Sequence, residues 1–179
     1  MKQMNKEAIL DSLRKFDEEL SLTFDDDKPY HCVIAGGSAM VLSGLSGRAS
    51  THDIDIILDD LPKAAMDIGM KYNINNAVKC YIYNFPDDFK SRLKQLDIPS
   101  SRIAFYVISP EDFVISKLLA GRPKDISDIE SAKLLSIIDW TLLGNLVNDI
   151  KDYLLNDRIT NEFLDLYKQY RERNEPENE

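Results

Sequence analysis

Hydrophobic positions follow a helical spacing near the start of the chain and then fall into short runs. Residues 5–21 place apolar side chains three and four residues apart, which predicts an amphipathic helix. Short apolar and β-branched runs follow at 30–35, 51–58, 78–83 and 103–108, and each has the length of a strand. Glycine-rich or polar segments separate these runs. The pattern therefore predicts a small sheet with helices between its strands.

The second half of the chain has a helical pattern throughout. Ser109 is placed to cap a helix whose first residue is Pro110, and Gly121 follows its end. Asp139 is placed to cap a later helix in the same way. The remaining predicted helices cover residues 36–42, 63–72, a short polar stretch in 85–96, a segment capped by Asp125 or Ser127, and 161–173. We therefore expect a mixed sheet first and a helical part after it.

Length and composition limit the classes of protein to consider. The 179 residues suffice for one domain with a helical appendage, which we divide into a core at 1–125 and a helical region at 126–179 packed on it. The net charge of −9 argues against broad binding of nucleic acid or anionic membranes. No apolar stretch reaches the roughly 18 residues of a membrane span. Cys32 and Cys80 lie in apolar runs, which is typical of buried free thiols in a cytoplasmic protein.

The first candidate for chemistry is the Gly36-Gly37-Ser38 sequence, which follows a predicted strand and opens a helix. Backbone N–H groups at such a turn, together with the Ser38 hydroxyl, can hold phosphate oxygens. The glycine pair alone fits equally well a tight strand-to-helix turn without a ligand.

The second candidate is Asp53-Ile54-Asp55, inside the predicted strand 51–58. Because side chains alternate along a strand, Asp53 and Asp55 are expected on one face. Two carboxylates so close together repel each other, and a divalent cation would relieve that repulsion. A solvated acidic strand is the alternative, but the apolar residues after Asp55 favour a buried strand.

These two motifs together resemble the signature of the nucleotidyltransferase superfamily of the polymerase-beta type. Arg48, Thr51, Asp53 and Asp55 are also similar to the Arg-x-x-Thr-x-Asp-Ile-Asp pattern of a bacterial group of nucleotidyltransferase-like proteins. That group in turn resembles the toxins of abortive-infection toxin–antitoxin pairs. The resemblance implies that the glycine-serine turn holds a triphosphate and that Asp53 and Asp55 bind Mg²⁺ or Mn²⁺.

A later segment is similar to a second pattern of the same group. Residues 117–129 match its Lys-Leu-Leu-Ala-x-Arg-x-Lys-Asp-x-x-Asp-Ile stretch. Lys117 is a candidate phosphate ligand, or a lysine near a helix end that extends to the surface. Arg122, like Arg48, either binds phosphate or only fixes a loop. Asp125 and Asp128 are candidate catalytic acids, or acids that stabilise the start of a helix.

The sequence departs from the superfamily in one respect. Catalytic members carry a third carboxylate on a later neighbouring strand, and neither 78–83 nor 102–108 contains one. Either Asp125 or Asp128 takes that role, or the protein binds nucleotide without transferring it.

The combined prediction is an α+β protein, with a small mixed-sheet nucleotidyltransferase core flanked by helices and a helical C-terminal part. The resemblance implies transfer of a nucleoside monophosphate from a nucleoside triphosphate to a hydroxyl on RNA, protein or a small molecule. It also allows a toxin role with a cognate antitoxin. The alternative is a catalytically degenerate protein that binds a nucleotide or another protein.

Overall fold

A computed structural model describes residues 3–25, 29–45, 49–58, 62–76, 85–130 and 133–174. In these residues the protein is α+β, as predicted, with helices around a five-stranded mixed sheet. The α-helices are α1 (Lys6–Thr23), α2 (Gly36–Ser43), α3 (Lys63–Lys71), α4 (Pro110–Ala120), α5 (Pro123–Glu130), α6 (Trp140–Lys151) and α7 (Asp157–Asn174). The strands are β1 (Tyr30–Ala35), β2 (Ile54–Leu58), β3 (Ile74–Asn75), β4 (Lys94–Gln95) and β5 (Ile103–Val107). Two 3₁₀ helices cover Phe89–Arg92 and Lys133–Ser136.

The strand order across the sheet is β3-β2-β1-β5-β4. Strand β5 runs parallel to β1, while β2 runs antiparallel to β1 and parallel to β3. The carboxyl ends of β1 and β5 therefore meet the amino ends of β2 and β3 at one end of the sheet. The pairing of Ala35 with Asp55, and of Asp55 with Asn75, places all three residues at that end.

Within the described residues, one hydrophobic core joins the sheet to helices from both parts of the chain. Its fully buried side chains include Phe16 of α1, Phe105 of β5, Phe113 of α4 and Phe163 of α7. Helices α6 and α7 both pack against α4. The division predicted after residue 125 falls inside α5.

The predicted caps of two helices are confirmed. The Ser109 side chain accepts a hydrogen bond from the Asp112 N–H at 3.0 Å, and Pro110 opens α4. Gly121 ends that helix with a left-handed φ of 58°. Asp139 caps α6 by accepting a hydrogen bond from the Leu142 N–H at 3.0 Å.

Other boundaries differ from the prediction. Strand β2 begins at Ile54, because Thr51 pairs instead with Met4 in an isolated bridge. Helix α5 begins at Pro123, so Asp125 lies in its first turn and is not its cap. Helix α7 begins at Asp157, four residues earlier than expected.

The segment 85–96 contains a 3₁₀ helix and then the short strand β4, where the sequence predicted only a short helix. The strand predicted at 78–83 lies outside the described residues. Strand β3, at 74–75, was not predicted at all.

Asp17 on α1 is a buried polar anchor for β5. Its carboxylate accepts hydrogen bonds from the backbone N–H groups of Ser101, Arg102 and Ile103 at 2.6 to 2.8 Å. These bonds fix the start of β5 to α1.

Cys32 is a buried free thiol, as predicted, and burial raises its pKa above the usual range. Cys80 lies outside the described residues. Among the helices that the structure describes, none combines the length and the apolar character needed to cross a membrane.

Candidate active site

The glycine pair allows the start of α2 to lie against the side chains of Asp55 and Thr51. Gly36 has a left-handed φ of 59°, and a Cβ there would overlap the carboxylate oxygen Oδ2 of Asp55. A Cβ on Gly37 would lie 3.2 Å from the Thr51 hydroxyl oxygen. Ala35, at the cap position, has no polar side chain with which to cap this helix end. Since the first N–H groups of a helix have no acceptor within it, they form a ready site for an anion.

Ser38 contributes to this turn through its backbone. Its side chain is fully buried, and its hydroxyl donates a hydrogen bond to the Ala35 carbonyl at 2.9 Å. Because the hydroxyl proton is used within the protein, a contact of Ser38 with phosphate would come from its backbone N–H.

The two aspartates are neighbours at the end of the sheet, as predicted. Asp55 belongs to β2, and Asp53 lies just before it; both are half-buried. Burial raises the pKa of Asp55, and the charge of Asp53 raises it further. A hydrogen bond from Asn75 and the charges of Lys117 and Lys124 lower it, but the pKa stays above its usual value. The fold therefore keeps the two carboxylates close together although their negative charges repel each other.

Lys117 lies in a buried cluster of charges between α4 and α5. Its Nζ donates to Asp125 Oδ1 at 2.7 Å and to Asp128 Oδ2 at 3.0 Å. Arg122 Nη2 also donates to Asp125 Oδ1, at 3.2 Å. Burial acts to raise the pKa of Asp125, but the hydrogen bonds from Arg122 and Lys117 outweigh it and hold the pKa below its usual value.

Lys117, in this cluster, and Lys124 lie near enough to Asp55 for their charges to lower its pKa. The charged cluster of the second motif is therefore near the aspartate pair of the first. Arg48 lies outside the described residues. The catalytic roles of Asp125 and Asp128 and the phosphate role of Lys117 stay predictions, since the three side chains bind one another.

The sequence did not single out two residues of this neighbourhood. Lys124 is exposed in the first turn of α5; it is the second lysine of the stretch at 117–129, where no role was assigned to it. Asn75 donates a hydrogen bond to Asp53 Oδ2 at 3.2 Å from a strand too short to show a hydrophobic pattern.

The residues present fit a divalent cation that is shared with a phosphate ligand. Within the described ranges no group of three or more acidic, histidine or cysteine side chains is arranged to hold a metal. Mg²⁺ in proteins commonly binds one or two carboxylates and takes its other ligands from water and phosphate oxygens. Asp53 and Asp55 supply the two carboxylates, and the start of α2 beside them is suited to phosphate.

A cavity of about 400 Å³ lies elsewhere in the protein. It is lined by residues 85–88 and by residues around the end of α6, among them Asp149, Asp152 and Tyr153. Neither Asp53 nor Asp55 lines this cavity.

Comparison with known proteins identifies the family. No curated protein and no solved structure gives a significant match to the chain. One family model, described as a nucleotidyltransferase of unknown function (DUF6036), matches residues 11–175, which include both sequence motifs and all seven helices in whole or in part. The chain therefore belongs to this nucleotidyltransferase family.

Proposed function

We propose that the protein transfers a nucleoside monophosphate from a nucleoside triphosphate to a hydroxyl group, with Mg²⁺ or Mn²⁺ held by Asp53 and Asp55. The observation that carries the proposal is the contact between the start of α2 and the Asp55 carboxylate. This contact supports the proposal because a helix end suited to phosphate lies beside a carboxylate pair suited to a divalent cation.

Backbone groups of the protein would position the triphosphate. The N–H groups of Gly36, Gly37 and Ser38 belong to the start of α2, which lies beside Asp55, and would donate to phosphate oxygens. The exposed ammonium of Lys124 is close enough to influence Asp55 and would add a positive charge near the leaving phosphates. Lys117, whose charge also lowers the pKa of Asp55, is held in place by Asp125 and Asp128.

The reaction that these groups would support is an in-line displacement. The acceptor oxygen forms a bond to the α-phosphorus while the bond from that phosphorus to the β-phosphate oxygen breaks, and pyrophosphate leaves. The hydroxyl proton passes to a carboxylate of the site or to water. A divalent cation bound to Asp53 and Asp55 would neutralise the phosphate charge. The protein's own contribution is positioning and electrostatic stabilisation.

A transfer assay tests this proposal. The four nucleoside triphosphates, labelled at the α-phosphate, are incubated with the protein, Mg²⁺ and separate RNA, protein and small-molecule fractions of a cell extract. We expect the label to enter one fraction with wild-type protein and with the control Asp149→Ala/Asp152→Ala, which removes two exposed charges from the end of α6. The Asp53→Ala/Asp55→Ala variant should transfer nothing.

Label from the γ-phosphate should not be transferred, because it leaves in pyrophosphate. Binding of nucleotide without transfer to any fraction would contradict the proposal and would favour a degenerate binding protein. The fraction that accepts the label also tests the toxin role, which stays a prediction from the resemblance, as does a cognate antitoxin.

A further inference from the structure

Asn75 lies beside both carboxylates of the candidate site. It lies in β3, where the strand pairing sets it beside Asp55. Residues paired in this way project to the same side of a sheet, so the Asn75 amide faces the aspartates. Its Nδ2 donates a hydrogen bond to Asp53 Oδ2 at 3.2 Å, and its side chain also lowers the pKa of Asp55. One amide group therefore acts on both acids.

The chemistry of the amide suits this place better than a charged group would. An asparagine NH₂ group has two hydrogens to donate and no net charge. Two donors can hold two ionised carboxylates that otherwise repel each other. A lysine there would form a lasting ion pair and compete with a cation, whereas a third carboxylate would add to the repulsion. An amide stabilises the two carboxylates and leaves their negative charge available to bind a cation.

We propose that Asn75 is a positioning residue, whose amide bridges Asp53 and Asp55 and keeps their oxygens oriented for a divalent cation. This inference rests on the proposed function, because the cation is the one that would accompany the nucleoside triphosphate. It assigns a role to a strand of two residues at the edge of the sheet.

Two variants separate positioning from a merely structural role. Asn75→Ala removes the bridge, so the carboxylates lose their orientation and the affinity for Mg²⁺ falls by roughly 10-fold, as for other residues that orient metal ligands. Asn75→Asp keeps the shape but replaces the donors with a charge. Without metal, this variant should melt at a lower temperature than the wild type. Added Mg²⁺ should raise its melting temperature by more than it raises that of the wild type. The matched control is Asn145→Ala on the exposed side of α6, which should bind Mg²⁺ like the wild type.

The measurements are calorimetric titration with Mg²⁺ alone and melting temperature as a function of Mg²⁺ concentration. The inference predicts a smaller Mg²⁺-induced shift for Asn75→Ala and a larger one for Asn75→Asp, relative to the wild type. A structural role would lower both melting temperatures and leave the Mg²⁺ affinity unchanged, which would overturn the inference. Tighter binding by Asn75→Ala would also overturn it, because the amide would then be a competitor of the cation. If the wild type itself bound no Mg²⁺ through Asp53 and Asp55, the proposed metal site would fail and this inference with it.

Discussion

The ionised form of the Asp55 carboxyl group is less favourable in the folded protein than in the unfolded chain. Its pKa is raised by burial and by Asp53, although Asn75, Lys117 and Lys124 act in the opposite direction. A carboxyl group with a raised pKa in the folded state favours folding when it is protonated. Its contribution to stability is present below its ordinary pKa of 3.8 and is lost as the pH rises through the folded value. The metal-free protein therefore carries an electrostatic cost at neutral pH.

Substitution of Asp55 by asparagine should remove that cost. We expect Asp55→Asn to raise the melting temperature of the metal-free protein by roughly 2–4 °C at pH 7. The gain should shrink as the pH falls through the raised folded pKa and should be lost below 3.8, where the wild-type carboxyl is protonated in both states. Melting curves from pH 3.5 to 8 measure this, with the exposed Asp149→Asn as control. A lower melting temperature at pH 7 would show that the ionised carboxylate anchors the fold, contrary to this interpretation.

Asp17 shows the opposite case, a buried carboxylate that the fold requires. Asp17→Ala would leave the backbone N–H groups of residues 101–103 without their acceptor. Since an unsatisfied buried group costs about 1–3 kcal/mol and only the Ile103 N–H is buried, the free energy of unfolding should fall by about 1–3 kcal/mol. Urea titration measures this loss. Asp11→Ala on the same helix, which removes only an exposed ion pair with Lys15, should cost less than about 1 kcal/mol. Equal losses in the two variants would contradict the assignment.

Among the secondary-structure elements, α2 is the one whose position depends most directly on glycine. Gly36 and Gly44, at its two ends, both have a left-handed φ, but only Gly36 lies against another side chain. Gly36→Ala and Gly44→Ala therefore share the conformational cost of about 1–2 kcal/mol. Gly36→Ala should lose further stability and also nucleotide binding, because its Cβ displaces Asp55 from the start of the helix. Unfolding and nucleotide titration of the two variants measure the difference, and matching results would refute the proposed contact.

The sequence predicted those elements whose signals are local. The caps at Ser109 and Asp139 and the apolar runs of β1, β2 and β5 depend on neighbouring residues, so they were found within a few positions. Strands β3 and β4 have two residues each, which is too short for a period of two to appear. Their pairing depends on the rest of the sheet. Helix α5 begins earlier than predicted, at Pro123. Asp125 is therefore a buried residue of its first turn and not its cap.

At the scale of the whole molecule, the candidate site is assembled from segments far apart in the chain. Strands β1, β2 and β3 are neighbours, and the relevant end of each lies at the same end of the sheet. This arrangement brings together residues 36–37, 51–55 and 75. The motifs predicted that Gly36 and the aspartates belong together. They could not predict that Asn75 acts on both aspartates or that Lys117 is enclosed by Asp125 and Asp128, since both depend on tertiary packing.

The central claim is that this assembled site binds a nucleoside triphosphate with a divalent cation. Calorimetric titration of each of the four nucleoside triphosphates, with and without Mg²⁺, tests it most directly. The proteins to compare are the wild type, Asp53→Ala/Asp55→Ala and the exposed-charge control Asp149→Ala/Asp152→Ala. We predict micromolar binding of at least one triphosphate that requires Mg²⁺, is lost in the first variant and is kept in the second. Absence of binding by the wild type, or equal binding by the variant without Asp53 and Asp55, would contradict the claim.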